Sequence, residues 1–391
     1  MNKPVILGGK PGFHSPIKLV DITFSSQKDV LSQIHETLES SLLTNQGKHL
    51  AQFEQSLQSV LGVPVAAVAN ATLGLILTLQ SAQLQGKVIV PSFTFCATSH
   101  SVVWAGLQPS FVDVDPESFT IDPTAVEDAI DDSTSAIMGV HTFGNPCDID
   151  ALQKIARKHH LKLFFDAAHA FGSLYHSKPI GQFGDAEVFS THATKTLVTG
   201  EGGFVCSHDK NLLTHIRRAR NFGFTEDNSD ILFCGTNAKM TEIGAILGLD
   251  TLHSINPALK QRARVAALFE RRLGKLPGLR FQKVTDDSFH SHCFFGMLVI
   301  PEEFGINRDQ LSAALAAEHI TTRKYFYPPL HKTTAYNRFK NLSLPHTDFI
   351  SEHILCLPIH SKVTVEVAEQ MCDVIDNIHA HASAIARAFH G

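Results

Sequence analysis

Lys195 lies in the stretch STHATKTLVTGEGG (190–203), among small hydroxyl and β-branched residues and just ahead of a Gly-Glu-Gly-Gly turn. A lysine drawn out of water loses its preference for the ammonium form, and the free amine is a nucleophile for a carbonyl. The plainer alternative is a packed stem with a solvated head. Further polar groups stand where short apolar runs end. Asp166 follows LKLFF (161–165), where a carboxylate needs a facing cation or several donors. His169, three residues on, reads by itself as a packed, hydrogen-bonded ring. Asn70-Ala71-Thr72 follows VAAVA (65–69) and leads into a helical pattern, offering amides and the positive end of a helix to an anion such as phosphate. Thr72 as an ordinary N-cap is the alternative. Phe93 and Phe95, in PSFTFCAT (91–98), could stack on a flat ring, with core packing expected for at least one. Gly200, Gly202 and Gly203 permit a close backbone approach or a positive φ.

Positioning these groups falls to a regular alternation of elements. Apolar residues recur at helical spacing from Lys28 to Leu42 and again from Leu50 to Leu61. Seven β-rich runs follow: VAAVA, KVIV (87–90), SFVDV (110–114), SAIMGV (135–140), LKLFF, AEVFS (186–190) and GFVCS (203–207), most of them separated by helical stretches. Such unbroken apolar runs suit strands buried on both faces of a mainly parallel sheet. The expected fold is an α/β large domain over residues 26–252 with about seven strands, after an N-terminal segment 1–25. A smaller α+β domain is expected over 253–391, opening on the amphipathic ALKQRARVAALFERRLGKL. Open α/β sheets bind ligands at the carboxyl ends of their strands, where Thr72, Phe95, Asp166, Ser190 and Lys195 all fall.

Composition narrows the functions. The chain has 391 residues, 43% of them hydrophobic, and a formal charge of −5 without long runs of like charge, so nothing marks nucleic acid or an anionic membrane as a partner. Seven scattered cysteines without a CxxC pair suggest reduced thiols in a cytoplasmic protein. No signal peptide or apolar span is expected from the opening MNKPVILGGKPGFHSP. The 23 histidines, KHH (158–160) and HSH (290–292) among them, form no HExxH, and no metal site is expected. Neither a GxxxxGK[ST] loop nor a GxGxxG after the first strand is present, which removes the usual anchors of nucleotide hydrolysis and dinucleotide redox chemistry. A phosphate cradle, a buried carboxylate, a nucleophilic lysine and an aromatic face together match the needs of pyridoxal 5′-phosphate (PLP).

FFDAAHAFGS, FGDAEVFSTHATKTLVTGEGGFV and GTNAKMTEIGAILGL, with LLTNQGKHLAQFEQSLQSVLGV, VIVPSFTFCATSHSVVWAGLQPSFVDVD and LPIHSKVT, resemble the DegT/DnrJ/EryC1/StrS family of sugar aminotransferases of fold type I over nearly the whole chain. The resemblance implies that Lys195 forms the internal aldimine and shuttles a proton, that Asp166 keeps the pyridine nitrogen protonated, and that His169 lies by the ring or its 3′-oxygen. It implies phosphate contacts from Ser190, Thr72 and the Leu73 amide, and from Asn237 across a homodimer interface. Where many relatives have Asn-x-Arg, this chain has Asn237-Ala238-Lys239, replacing a bidentate fork by a point charge. Dehydratase relatives carry histidine at the lysine position, so Lys195 favours transamination. The implied reaction is ping-pong, with pyridoxamine phosphate (PMP) as intermediate, L-glutamate as donor and a nucleotide-linked keto sugar as acceptor. The wording is closest to relatives that aminate dTDP-4-keto-6-deoxyglucose to dTDP-4-amino-4,6-dideoxyglucose for surface polysaccharide such as lipopolysaccharide O-antigen. A 3-keto sugar or keto-cyclitol, or a non-catalytic PLP-binding regulator, are the alternatives. Lys239 and, from TTRKYFYPPLHK, Arg323, Tyr325 and His331 are the substrate-side candidates.

Overall fold

The computed structural model describes residues 3–390. Strands β1 (Val65–Val68), β2 (Lys87–Pro91), β3 (Gln108–Val112), β4 (Thr134–Val140) and β5 (Lys162–Asp166) are followed by a short ribbon, β6 (Leu174–Tyr175) and β7 (Lys178–Pro179), then by β8 (Ala186–Ser190) and β9 (Gly203–Cys206). All but the ribbon form one seven-stranded sheet of order β1-β9-β8-β5-β4-β2-β3. It is parallel from β8 through β3 and antiparallel on both sides of β9. The seven strands are those expected from the apolar runs. Successive side chains enter opposite cores, as a pleat requires: Val65, Ala67, Leu163 and Phe165 pack on one face, Ala66, Val68 and Phe164 on the other.

Two buried acid contacts fix the helices against this sheet. The Glu242 carboxylate accepts the His49 and Leu50 amides at 2.8 and 3.1 Å, satisfying the first donors of the helix Lys48–Leu61. Gly47 is needed there, because a Cβ would stand 2.6 Å from the same carboxylate. The buried Arg220 guanidinium bonds Glu54 at 2.6 Å and the Ala67 carbonyl, tying the helix Lys48–Leu61 to β1.

The C-terminal part builds a second core around β10 (Leu279–Phe281), β12 (Phe295–Val299) and β13 (Ile354–Leu357), in the order β10-β12-β13, covered by the helices Ile255–Leu273, Arg308–Ala317 and Val365–Ala380. Between them, β11 (Ser288–Phe289) pairs with β6, forming with β7 a separate three-stranded sheet that ties this part to the ribbon of the large domain. The N-terminal segment is not a separate unit: Phe13 is buried in the C-terminal core, and Glu318 accepts the Val5 and Gly12 amides at 2.8 and 2.7 Å. No helix among the described residues is long and apolar enough to cross a membrane.

Replacing Glu242 with Ala strands two buried helix-start amides. It is expected to lower the unfolding free energy by about 3 kcal/mol, measured by urea denaturation.

Candidate active site

Carboxyl ends of the central strands and the segment 294–326 enclose a cavity of about 520 Å³. Asp166, the last residue of β5, points into it. Its Oδ2 accepts the Thr98 hydroxyl at 2.7 Å and its Oδ1 the Ala168 amide at 3.0 Å. Burial raises the Asp166 pKa, opposed by these two hydrogen bonds and by the nearby Lys195 and His141. Lys195, on the loop after β8, lines the same cavity with its Nζ 5.3 Å from the Phe294 ring centre. Burial lowers its pKa, opposed by Cys293 and Asp166, so the amine reaches its uncharged form more readily than a solvated lysine.

Part of the cavity wall is a helix start, whose free amides suit an anion. The helix Ala71–Ser81 begins there, capped by Asn70, whose side chain accepts the Leu73 amide at 2.9 Å. This corrects two expectations. Thr72 lies within the first turn and is not the cap, and the Leu73 amide is already committed to Asn70. The amides of Ala71 and Thr72 have no partner among the described residues and remain for an anion. Ser190 also lines the cavity, accepting the His192 amide at 3.3 Å. Gly203 lets β9 pass tightly beneath, since a Cβ would lie 2.7 Å from the Ala71 nitrogen.

His169 lines the cavity with its tautomer fixed. The Phe143 amide donates to Nδ1 at 3.2 Å, so the neutral ring carries its proton on Nε2. Burial, aided by Lys195, holds its pKa well below the ordinary range. The ring stacks on Phe326 at 6.0 Å and 7°. Behind it, the HSH stretch is absorbed by packing. His290 and His292 stack at 4.1 Å, and Ser291 donates to the His169 carbonyl. No group of residues suited to a metal ion occurs among the described residues.

Other candidates are sorted by burial. Phe95 is 55% exposed and lines the cavity, whereas Phe93 is fully buried among Phe119, Phe143 and Phe326; Phe93 is core and cannot face a ring in the cavity. Tyr325 lines the cavity and also a neighbouring one of about 560 Å³ that shares Thr94, Phe95 and Phe326 with the first and adds Arg323. His331 is fully buried, its Nδ1 2.7 Å from Ser92 Oγ and its Nε2 3.3 Å from Asp348, so it braces the fold and does not face either cavity. Asn237 is exposed and lies outside this chain's own cavity. Lys239 packs over Phe222 at 4.7 Å in a separate polar cavity with Arg217 and Arg218. Thr94, Thr98, His192, Glu201 and Phe294 were not singled out by sequence. Their residue types are unremarkable, and only β5 and the loop after β8 give their positions meaning.

A half-buried amine opposite a buried carboxylate, with free helix-start amides and an aromatic wall, fits a planar phosphorylated pyridine aldehyde, and the fold is that of the fold type I aminotransferases. Residues 25–376 match the DegT/DnrJ/EryC1/StrS aminotransferase family. The chain belongs to that family and is a PLP-dependent sugar aminotransferase. It is 35% identical over 342 residues to the dTDP-4-amino-4,6-dideoxy-D-glucose transaminase of Shigella dysenteriae, covering 87% of this chain and 93% of that one. It is 32% identical over 349 residues to the GDP-perosamine synthase of Caulobacter vibrioides, covering 88% and 93%. Its fold superimposes on the crystal structure of DesI in the presence of its TDP-sugar product with a TM-score of 0.93 at 34% identity, covering 100% and 99% of the two chains.

His169, His290 and His292 are all held neutral, mainly by burial, the last with its pKa lowered to about 4. Their folded pKa values lie below the unfolded value of 6.5, so the unfolded chain binds more protons as the pH falls below 6.5 and stability drops. The loss expected at about pH 5 is about 2 kcal/mol per imidazole. Urea denaturation at pH 7 and pH 5 is expected to show a smaller pH 5 loss in His290→Asn than in wild type, by about that amount.

Proposed function

We propose that this chain transfers the amino group of L-glutamate to the ketone of a nucleotide-linked keto sugar, with dTDP-4-keto-6-deoxyglucose as acceptor and dTDP-4-amino-4,6-dideoxyglucose as product, made in the cytoplasm for surface polysaccharide such as O-antigen. The observation that carries the reading is the pairing of half-buried Lys195 with buried Asp166 in one cavity. The acceptor is chosen on the similarity to the Shigella transaminase.

PLP, when bound, would supply an electron sink that lets an amino group pass from an amino acid to a ketone. Asp166 would keep a proton on the pyridine nitrogen, a task for a carboxylate held ionised by Thr98 and the Ala168 amide. Thr72, Ser190 and the Ala71 and Thr72 amides would hold the phosphate. Phe95 would cover one ring face, and His169 would offer its Nε2 proton to the ring oxygen. Lys195, whose amine burial makes easier to deprotonate than a solvated lysine, would take the proton from the donor's α-carbon and return one to the acceptor's former carbonyl carbon. Arg323, in no ion pair among the described residues, and Tyr325 would receive the sugar and its diphosphate in the adjoining cavity.

A homodimer fits the exposed apolar groups. Leu31 and Leu38 on one helix, Trp104 at 74% exposure, and Phe222, Ile231 and Leu232 on the loop before Asn237 are all uncovered in the single chain. Asn237 on that loop would reach the partner's phosphate, and Lys239 the donor carboxylate.

Purified holoenzyme is expected to lose its visible cofactor band on addition of glutamate and regain it with the dTDP-linked 4-keto sugar. It should not respond to a GDP-linked 4-keto sugar, a 3-keto sugar or a keto-cyclitol. A response to one of those alone would reassign the acceptor, and no response to glutamate would favour a regulator that binds the cofactor without turnover. Lys195→Ala is expected to abolish the band's glutamate response and lower turnover by about a thousandfold or more. Arg323→Ala is expected to raise KM for the sugar about tenfold with kcat little changed, read from steady-state kinetics.

A further inference from the structure

Asp166 does not meet the cavity alone. Behind its Oδ2 runs a chain of two buried hydroxyls: Thr98 Oγ1 donates to Asp166 at 2.7 Å, and Thr94 Oγ1 lies 2.8 Å from Thr98 Oγ1. Both threonines are almost wholly buried, yet Thr94 also lines the cofactor cavity and the adjoining Arg323 cavity. An ionised carboxylate only accepts, which commits the Thr98 proton to Asp166. Thr98 must then accept from Thr94, so the Thr94 proton is committed too and its remaining lone pair is what the cavity sees. The direction of the whole chain follows from the charge at its end, and each bond polarises the next.

We infer that Thr98 is a positioning residue that holds the Asp166 carboxylate in orientation and ionised, and that Thr94 completes this relay while presenting a hydrogen-bond acceptor where the two cavities meet. The inference rests on the proposed cofactor site. The charged and titratable groups facing Asp166 are Lys195, from the loop after β8, and His141, from the end of β4. Neither donates a hydrogen bond to the carboxylate. Among the described residues its donors are Thr98 and the Ala168 amide alone. Thr98 stands in the first turn of the helix Cys96–Trp104 and the Ala168 amide in the turn after β5, so two separate elements fix the acid from two sides. An orientation held in this way lets Asp166 meet a ring nitrogen without rearranging.

The test compares wild type, Thr98→Val, Thr98→Ser and Thr94→Val for PLP affinity by equilibrium dialysis from pH 6 to pH 9, alongside the visible spectrum of the bound cofactor. Thr98→Val keeps the shape and removes the donor. The expected result is a roughly tenfold weaker affinity that worsens toward low pH, where Asp166 is more easily protonated, together with an altered pH titration of the visible band. Thr98→Ser is expected to restore both to within about twofold, and Thr94→Val, which leaves the Asp166 bond in place, to weaken affinity about threefold. Circular dichroism and the melting temperature report folding, and if Thr98→Val does not fold, the Thr94→Val and Thr98→Ser arms decide the question. Folded variants with wild-type affinity and spectrum at every pH would overturn the relay. A wild-type protein that takes up no PLP would overturn the cofactor site itself, a separate failure.

Discussion

Two opposite charges withdrawn from water set the terms for the rest of this structure. Burial alone would neutralise both Asp166 and Lys195, and each tempers the effect on the other. Neither group could stay in so apolar a place without a rigid frame. The frame is the carboxyl edge of a sheet buried on both faces, which delivers Asp166 from β5 and Ser190 from β8, on neighbouring parallel strands. The helices on that edge supply what the strands cannot, free amides for an anion at Ala71 and Thr72 and a hydroxyl donor at Thr98.

The seven strands were readable because a central strand needs an unbroken apolar run, and such runs are rare outside it. Lys195 and Asp166 were readable because charged residues at the ends of those runs need a reason. Thr72 and Leu73 do line the cavity, but the helix cap there is Asn70 and not Thr72. Capping is decided by the backbone angles of Asn70, which extend the chain just before the helix, and residue type alone does not give those angles. Phe93 and Phe95 could not be separated by type. The chain stays buried from Pro91 through Thr94 and surfaces at Phe95, just before the helix Cys96–Trp104, so Phe93 is core and Phe95 is left to the cavity. His331 looked like a ligand contact in a polar, aromatic strip, but Ser92, far away in sequence, claims its Nδ1.

What sequence could not supply is contact between distant segments. Phe294 and Phe326 close the cavity from the C-terminal part, and His169 owes its tautomer to the Phe143 amide. These partners are ordinary residues, distinguished only by the folded path of the chain. The same holds for Thr94 and Thr98, two threonines in a helix-start sequence that acquire a direction only because a carboxylate ends the line.

The docking of the N-terminal segment has a consequence for how the molecule is made. Val5 and Gly12 are anchored by Glu318, which follows Val5 by 313 positions. Phe13 likewise enters a core whose other walls include the helix Val365–Ala380. The large sheet has all its strands once residue 206 has left the ribosome, while Val5, Gly12 and Phe13 must wait for Glu318 and the helix Val365–Ala380. Assembly therefore closes on contacts between segments far apart along the chain, residues 5–13 on one side and Glu318 and the helix Val365–Ala380 on the other.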